Sequence, residues 1–260
     1  MNSNSITILG SYGGKGNNMQ LTSIQVSKSV VIDAGNIISG LGNGAANINH
    51  VFVSHSHLDH INDIPYLVDN YFEDRKTPLK VYARKEVIEH LKTYIFNWHV
   101  WPDFSQINLI DSQNKALEFI EIEIGQNIEL EECSIKAIEN NHTPSSCGFV
   151  ITKHNKAILF TSDTYCCDSI WDEVNKNKKI GSVIIDVSFP SRLEKLAFDS
   201  KHLTPALLEK ELKKLKRDDV DIYVNHLKPN YKNELIKELI RTSNLLVNGK
   251  ILETHDTIIF

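Results

Sequence analysis

Residues 54–60 read SHSHLDH: three histidines and an aspartate in seven positions, directly after the apolar run INHVFV (48–53). His55, His57, Asp59 and His60 offer neutral imidazoles and one carboxylate, the nitrogen and oxygen donors that suit zinc and similar divalent ions. If the strand VFVSH runs on to residue 57, side chains two apart fall on one side of it, so His55 and His57 can converge on one ion. Asp59 and His60 then lie past a turn, at the start of the next helix, where they can reach a second ion. Four ligands are too few for two ions with an open position, so further ligands are expected at distant strand ends.

Such residues are present. His142 follows the strand-like CSIKAIE, Asp163 ends the apolar run in ILFTSD, and His226 ends DIYVNH. Each sits where a strand gives way to a loop, the place where ligands from separate elements can meet. Asp33, in VVIDAG, ends an earlier strand in the same way.

The rest of the chain limits the answer. With 260 residues, 41% hydrophobic and 23% charged, it can bury a large core. A net charge of −5 provides no broad basic field, which disfavours nucleic acid and leaves only a local patch for any phosphate-rich polymer. The start, MNSNSITILGSYGG, lacks a basic segment followed by an apolar core, and no run approaches a membrane span. The expected location is the cytoplasm, without membrane attachment. Cys133, Cys147, Cys166 and Cys167 lack zinc-knuckle spacing and read as buried small apolar residues in a reducing compartment.

Strands are expected in SITILG, LTSIQVS, SVVIDAG, INHVFVS, PLKVYA, INLID, ALEFIEIEI, CSIKAIE, GFVITK, KAILFTS, GSVIIDVSF and VDIYVNH, with KILETHDTIIF closing the chain. Helices are expected after the histidine cluster, with Ile64, Leu67, Val68 and Tyr71 on one face, and in KEVIEHLKTYIF, DSIWDEVNK, TPALLEKELKKLKR and KNELIKELI. Thr204 followed by Pro205 is a helix start, threonine capping the orphan amides. One domain over 1–260 is expected, in two similar halves with a seam near 107–115. Two mixed sheets packed face to face with helices outside satisfy the order.

HxHxDH, then a lone histidine, an aspartate after an apolar strand and a last histidine after another, resembles the metallo-β-lactamase superfamily across essentially the whole chain. The resemblance implies an α+β fold, the four-layer αββα sandwich, with two metals at one edge. By position, His55, His57 and His142 would hold the first metal and Asp59, His60 and His226 the second. Asp163 would bridge them, and Asp33 would steady a ligand imidazole from behind.

IIDVSFP (184–190) followed by KHLTP (201–205) resembles the phosphodiesterase branches, including the transfer-RNA 3′-processing nucleases. There a histidine backed by an acidic residue faces the leaving group, here His202 and Asp186. A ribose alkoxide leaves poorly, so a proton donor at its oxygen lowers the barrier. GSYGG, SHSHLDHINDIP, YIFNWHVWPDFSQI and NHTPSSCGFVI look like the class II cyclic-nucleotide phosphodiesterases.

That implies hydrolysis of 3′,5′-cyclic AMP or GMP to the 5′-monophosphate by a hydroxide that two divalent ions activate, zinc first, with manganese or iron as alternatives. A transfer-RNA 3′-processing endonuclease is the rival activity. Asp63 departs from that family, which generally has a small residue there. Phe96, Trp98, His99, Trp101 and Phe104 read either as a wall on which a purine stacks, Trp98, Trp101 and Phe104 foremost, or as core or a homodimer contact.

Overall fold

Neighbouring residues in the central strands are sorted onto opposite faces, and that sorting builds the layers. In the computed structural model, residues 4–143, 145–241 and 250–260 are described. Among them, the first sheet holds β1 (Ser5–Gly10), β2 (Ser23–Gln25), β3 (Val30–Ile32), β4 (His50–Phe52), β5 (Leu79–Ala83) and β6 (Leu117–Glu121). The second holds β7 (Asn127–Glu129), β8 (Ser134–Ile138), β9 (Gly148–Lys153), β10 (Lys156–Phe160), β11 (Ile180–Asp186) and β12 (Asp221–Asn225). The last strand, β13 (Thr257–Ile259), returns to the first sheet beside β1. The orders are β13-β1-β2-β3-β4-β5-β6 and β12-β11-β10-β9-β8-β7.

Both sheets are mixed: β3 to β6 and β10 to β12 run parallel, the remaining pairs antiparallel. Ile32, Phe52 and Tyr82 pack between the sheets with Phe149, Phe160 and Ile184. Phe52 stacks on Tyr82 at 4.4 Å between ring centres and meets Phe149 edge-on at 6.0 Å, joining the two layers.

Val31, Val51 and Val81 face the other way, onto α2 (Leu58–Ile61), α3 (Ile64–Asn70) and α4 (Lys85–Tyr94), the short α1 (Ile38–Leu41) lying beside them. Leu159, Val183 and Ile185 face α5 (Asp168–Lys176), α7 (Pro205–Leu212) and α8 (Lys232–Arg241), with α6 (Glu194–Ser200) near the sheet end. This is the αββα sandwich. Thr204 caps α7, its hydroxyl accepting from the Leu207 amide at 3.2 Å with Pro205 in the first turn.

Several sequence expectations change. INLID forms no ladder, because the left-handed turn at Asp111 (φ 55°) folds it back for a single bridge, Asn108 to Lys115, while Leu109 plugs the core. The chain passes from the first sheet to the second between Glu121 and Asn127, β6 staying paired with β5. Strand β4 stops at Phe52, short of His57. Cys133 and Cys147 are buried as expected, but Cys166 and Cys167 are half-buried; all four are free thiols.

Candidate metal centre

Past Phe52 the chain bends at Ser54 and is extended again at His57 (φ −67°, ψ 146°), the residue before α2, so His55 and His57 are brought together without a ladder. The rings of His55 and His57 lie 4.6 Å apart. Three more strand ends feed the same space through left-handed backbone: Asp33 after β3 (φ 55°), Ser162 before Asp163 (φ 55°) and His226 after β12 (φ 65°). His142 arrives from the loop after β8. Gly35 allows a close approach here, because a Cβ at that position would lie 2.3 Å from the Asp59 carbonyl oxygen.

The seven residues form two overlapping groups. His55, His57, His142 and Asp163 offer donor atoms within 4.8 Å of one another, and so do Asp59, His60 and His226. Asp163 reaches both: its Oδ2 is 3.7 Å from His55 Nε2 and 3.4 Å from His60 Nε2, its Oδ1 3.2 Å from His226 Nε2. Bare imidazole nitrogens face each other at 3.3 Å (His57 Nδ1, His142 Nε2) and 3.4 Å (His60 Nε2, His226 Nε2). Ligands ~2.0–2.1 Å from a tetrahedral ion sit ~3.3–3.4 Å apart, so these spacings suit a shared cation. His55 Nε2 is buried and has no hydrogen-bond partner, a costly state for a polar atom that a metal bond would relieve. The donor set, nitrogen and carboxylate oxygen, fits divalent ions.

Charge in the cluster follows the same logic. Burial pushes His55 well below the ordinary histidine value and His142 down to about 4, keeping these imidazoles neutral as ligands must be. At His60 burial works the same way, but Asp163, Asp33 and Asp59 outweigh it and raise the value. Burial opposes charge on Asp163 too, and His226 and His60 overcome it, holding the carboxyl well below its usual range.

Two aspartates brace the cluster from behind, and each carries a pair of histidines. Asp33 accepts from His60 Nδ1 (2.7 Å), from the Ser54 amide (2.8 Å) and from Ser54 Oγ (2.8 Å). Ser54 Oγ in turn lies 3.0 Å from His55 Nδ1. Asp186 accepts from His202 Nδ1 at 2.7 Å and from Ser188 Oγ at 2.6 Å, and Ser188 Oγ lies 2.9 Å from His226 Nδ1. In both places one histidine is held directly and the other through a serine. Each Nδ1–H is thereby engaged, which leaves Nε2 turned to the cleft.

His202 is buried and joins Asp163, Asp186 and His226 in one cluster, its ring 4.9 Å from His142 and 5.3 Å from His226. Burial disfavours its charged form, but Asp186 outweighs burial and raises its pKa.

The sequence reading passed over Ser54 and Ser188. Ser188 stands two residues past Asp186 in extended chain, hence on the same side, and that spacing was a usable signal. His90 lies 2.9 Å from the Ser56 hydroxyl in the loop that carries His55 and His57. Asp63 joins two loops: its amide donates to Ala34 O at 2.7 Å and its carboxylate accepts from the Ile38 amide at 2.9 Å.

The aromatic stretch divides. Phe96 and Phe104 are core, Phe104 packing on Phe72 at 5.7 Å, so Phe104 is no stacking wall. Trp101 is half-buried against Tyr66 at 5.1 Å, and Trp98 is 57% exposed. A cavity of about 820 Å³ lined by Gln25, Glu129, Cys133 and Lys153 lies at the opposite strand ends, away from the cluster.

The family model for the beta-lactamase superfamily domain matches residues 30–220. A Yersinia pestis protein named "Probable 3′,5′-cyclic-nucleotide phosphodiesterase" is 27% identical over 246 residues, covering 81% of this chain and 67% of that protein. An Aliivibrio fischeri protein named 3′,5′-cyclic-nucleotide phosphodiesterase is 26% identical over 245 residues, covering 82% and 71%. Among solved structures, unliganded yeast PDE1 superposes with a TM-score of 0.79 at 15% identity, covering 98% of this chain and 99% of that one.

Proposed function

Since this chain belongs to the metallo-β-lactamase superfamily, we propose that it is a phosphoric diester hydrolase that opens 3′,5′-cyclic nucleotides to nucleoside 5′-monophosphates. The observation that carries the reading is the His202–Asp186 pair at 2.7 Å, built into the same buried cluster as the metal-ligand set. The names of the relatives from Yersinia pestis and Aliivibrio fischeri favour the same substrate class.

His55, His57, His142 and Asp163 would hold one divalent ion, and Asp59, His60, His226 and Asp163 a second, zinc being the first choice for such donors. When bound, the ions supply an activated water near neutral pH and offset charge on the phosphoryl oxygens. The chain's own part is proton placement. Asp186 fixes His202 Nδ1, so Nε2 carries the proton that the departing 3′ oxygen receives as the P–O3′ bond breaks. Asp33 and Ser54 hold His60 and His55, and Ser188 holds His226, so the ligand imidazoles need no reorganisation when substrate arrives.

The net charge of −5 favours a small substrate over transfer RNA, since a polyanion needs many cations to neutralise its phosphates. The test is incubation of zinc-loaded protein with cyclic AMP, cyclic GMP and a precursor transfer RNA in parallel, with chromatography of the products. Formation of 5′-AMP or 5′-GMP is expected; cleavage of the RNA alone would overturn the substrate and keep the centre.

A further inference from the structure

One rim of the metal centre carries side chains that neither ligate nor brace. Tyr165 lies two residues past Asp163, Lys201 directly precedes His202, and Phe198 is on the last turn of α6. Tyr165 and Phe198 meet edge to face at 5.6 Å between ring centres. The Lys201 ammonium rests 4.4 Å from the Phe198 ring centre and 5.5 Å from that of Tyr165.

Both backbones are tied to the His142 loop. The Tyr165 amide donates to Asn141 O at 2.8 Å, and Lys201 O accepts from His142 Nδ1 at 2.9 Å. The rings are therefore fixed relative to a ligand histidine on one side and to His202 on the other.

Folding alone does not call for this arrangement. Phe198 is 50% exposed, and among the described residues the Lys201 ammonium contacts the two ring faces. The left-handed backbone of Lys201 (φ 58°) closes α6, its amide donating back to the last turn, and this places the side chain beside the Phe198 ring. An exposed phenylalanine beside a half-buried tyrosine, with a loosely held cation, set on the rim of a phosphoryl-transfer centre, matches the two halves of a nucleotide.

We propose that Tyr165, Phe198 and Lys201 form the nucleobase subsite: the purine stacks on one ring of the perpendicular pair and meets the other edge-on, and Lys201 leaves the ring faces for the adjacent phosphate. The inference rests on the cyclic-nucleotide reading and deepens it. It moves the base from the Trp98–Trp101 stretch to the His142–His202 rim. A cation held only over ring faces is displaced at modest cost, and the anionic substrate offers it a stronger partner.

The test compares cyclic AMP with ribose 3′,5′-cyclic phosphate, which lacks the base, on Tyr165→Ala, Phe198→Ala and the unmodified protein, each checked for bound metal. The aromatic variants are expected to raise KM for cyclic AMP about tenfold or more, the loss being confined to the base-bearing substrate. Tyr165→Phe, which keeps the ring, recovers most of it. Lys201→Met is expected to raise KM for both substrates, because both carry the phosphate. Equal effects of the aromatic variants on the two substrates, or none on either, would overturn the subsite while leaving the phosphodiesterase reading intact. If the unmodified protein turned over no cyclic nucleotide, both would fall.

Discussion

Ser188→Ala removes one hydroxyl and should separate the two metal positions. Ser188 Oγ donates to Asp186 Oδ1 at 2.6 Å, lies 2.9 Å from His226 Nδ1 and is fully buried, so water cannot replace it. A hydrogen bond to a charged group contributes about 1.5–3 kcal/mol, and a buried N–H left without a partner costs about 1–3 kcal/mol. The two overlap, since both describe one relay, and a combined loss of roughly 2–4 kcal/mol is expected.

That loss divides between folding and ligand geometry. Removing the group behind a metal-bound histidine weakens metal binding about 10–100-fold. On the two-ion reading, only the ion that Asp59, His60 and His226 would hold leans on Ser188, because His55 leans on Ser54 instead. Titration of apo protein with zinc against a chelating competitor should show the weaker equivalent shifted about 10–100-fold and the other nearly unchanged. The melting temperature of the apo variant should fall by about 4–16 °C if the whole loss falls on folding, at about 2–4 °C per kcal/mol for a chain of this size. Equal weakening of both equivalents, or of neither, would refute the claim that the serine relays serve separate positions.

Three further outcomes follow from the same geometry. His202→Ala is expected to slow cyclic-nucleotide hydrolysis about 10²–10⁴-fold, yet to slow a nitrophenyl phosphodiester far less, because that leaving group needs no proton; steady-state kinetics on both substrates checks it. His202 acts as an acid only when protonated, and Asp186, overcoming burial, raises its pKa above the ordinary 6.5. Turnover of cyclic nucleotide should therefore fall as pH rises through that raised value, and Asp186→Asn should move the falling limb to lower pH in a kcat–pH profile. Stripping metal with a chelator should lower the melting temperature and re-adding it restore it, since ligands come from both halves of the sandwich; at about 100 times Kd the linkage is about 2.7 kcal/mol. A scan unchanged by the chelator would contradict a metal bound across the two halves.

What could be read in advance depended on how local the signal was. SHSHLDH concentrates its chemistry in seven residues, and His55 and His57 are brought together even without a ladder. Layering was legible because each central strand carries apolar residues on both faces. Strand β7 was passed over because Asn127 and Glu129 are exposed polar residues around a single half-buried Ile128 on a sheet edge. Helix α6 escaped because of its seven residues only Ala197 is buried. INLID has a strand's composition, and only the turn at Asp111, a long-range packing outcome, denies it a partner. The serine relays needed three dimensions: Ser54 and Ser188 matter through residues up to 38 positions away.

The left-handed turns at Asp33, Ser162 and His226 bear on what happens if this chain is selected for heat resistance. None is glycine, and each such residue costs about 1–2 kcal/mol, against a total stability of about 5–15 kcal/mol. Ser162 is the weakest of the three to defend, because its buried hydroxyl has no hydrogen-bond partner. Ser162→Gly would relieve the turn and remove the stranded hydroxyl, outweighing the ~1 kcal/mol of added chain freedom. The same change would loosen Asp163, the carboxylate shared by both groups. A library screened only for melting temperature would then converge on this loop, and its hardiest members would be its poorest hydrolases.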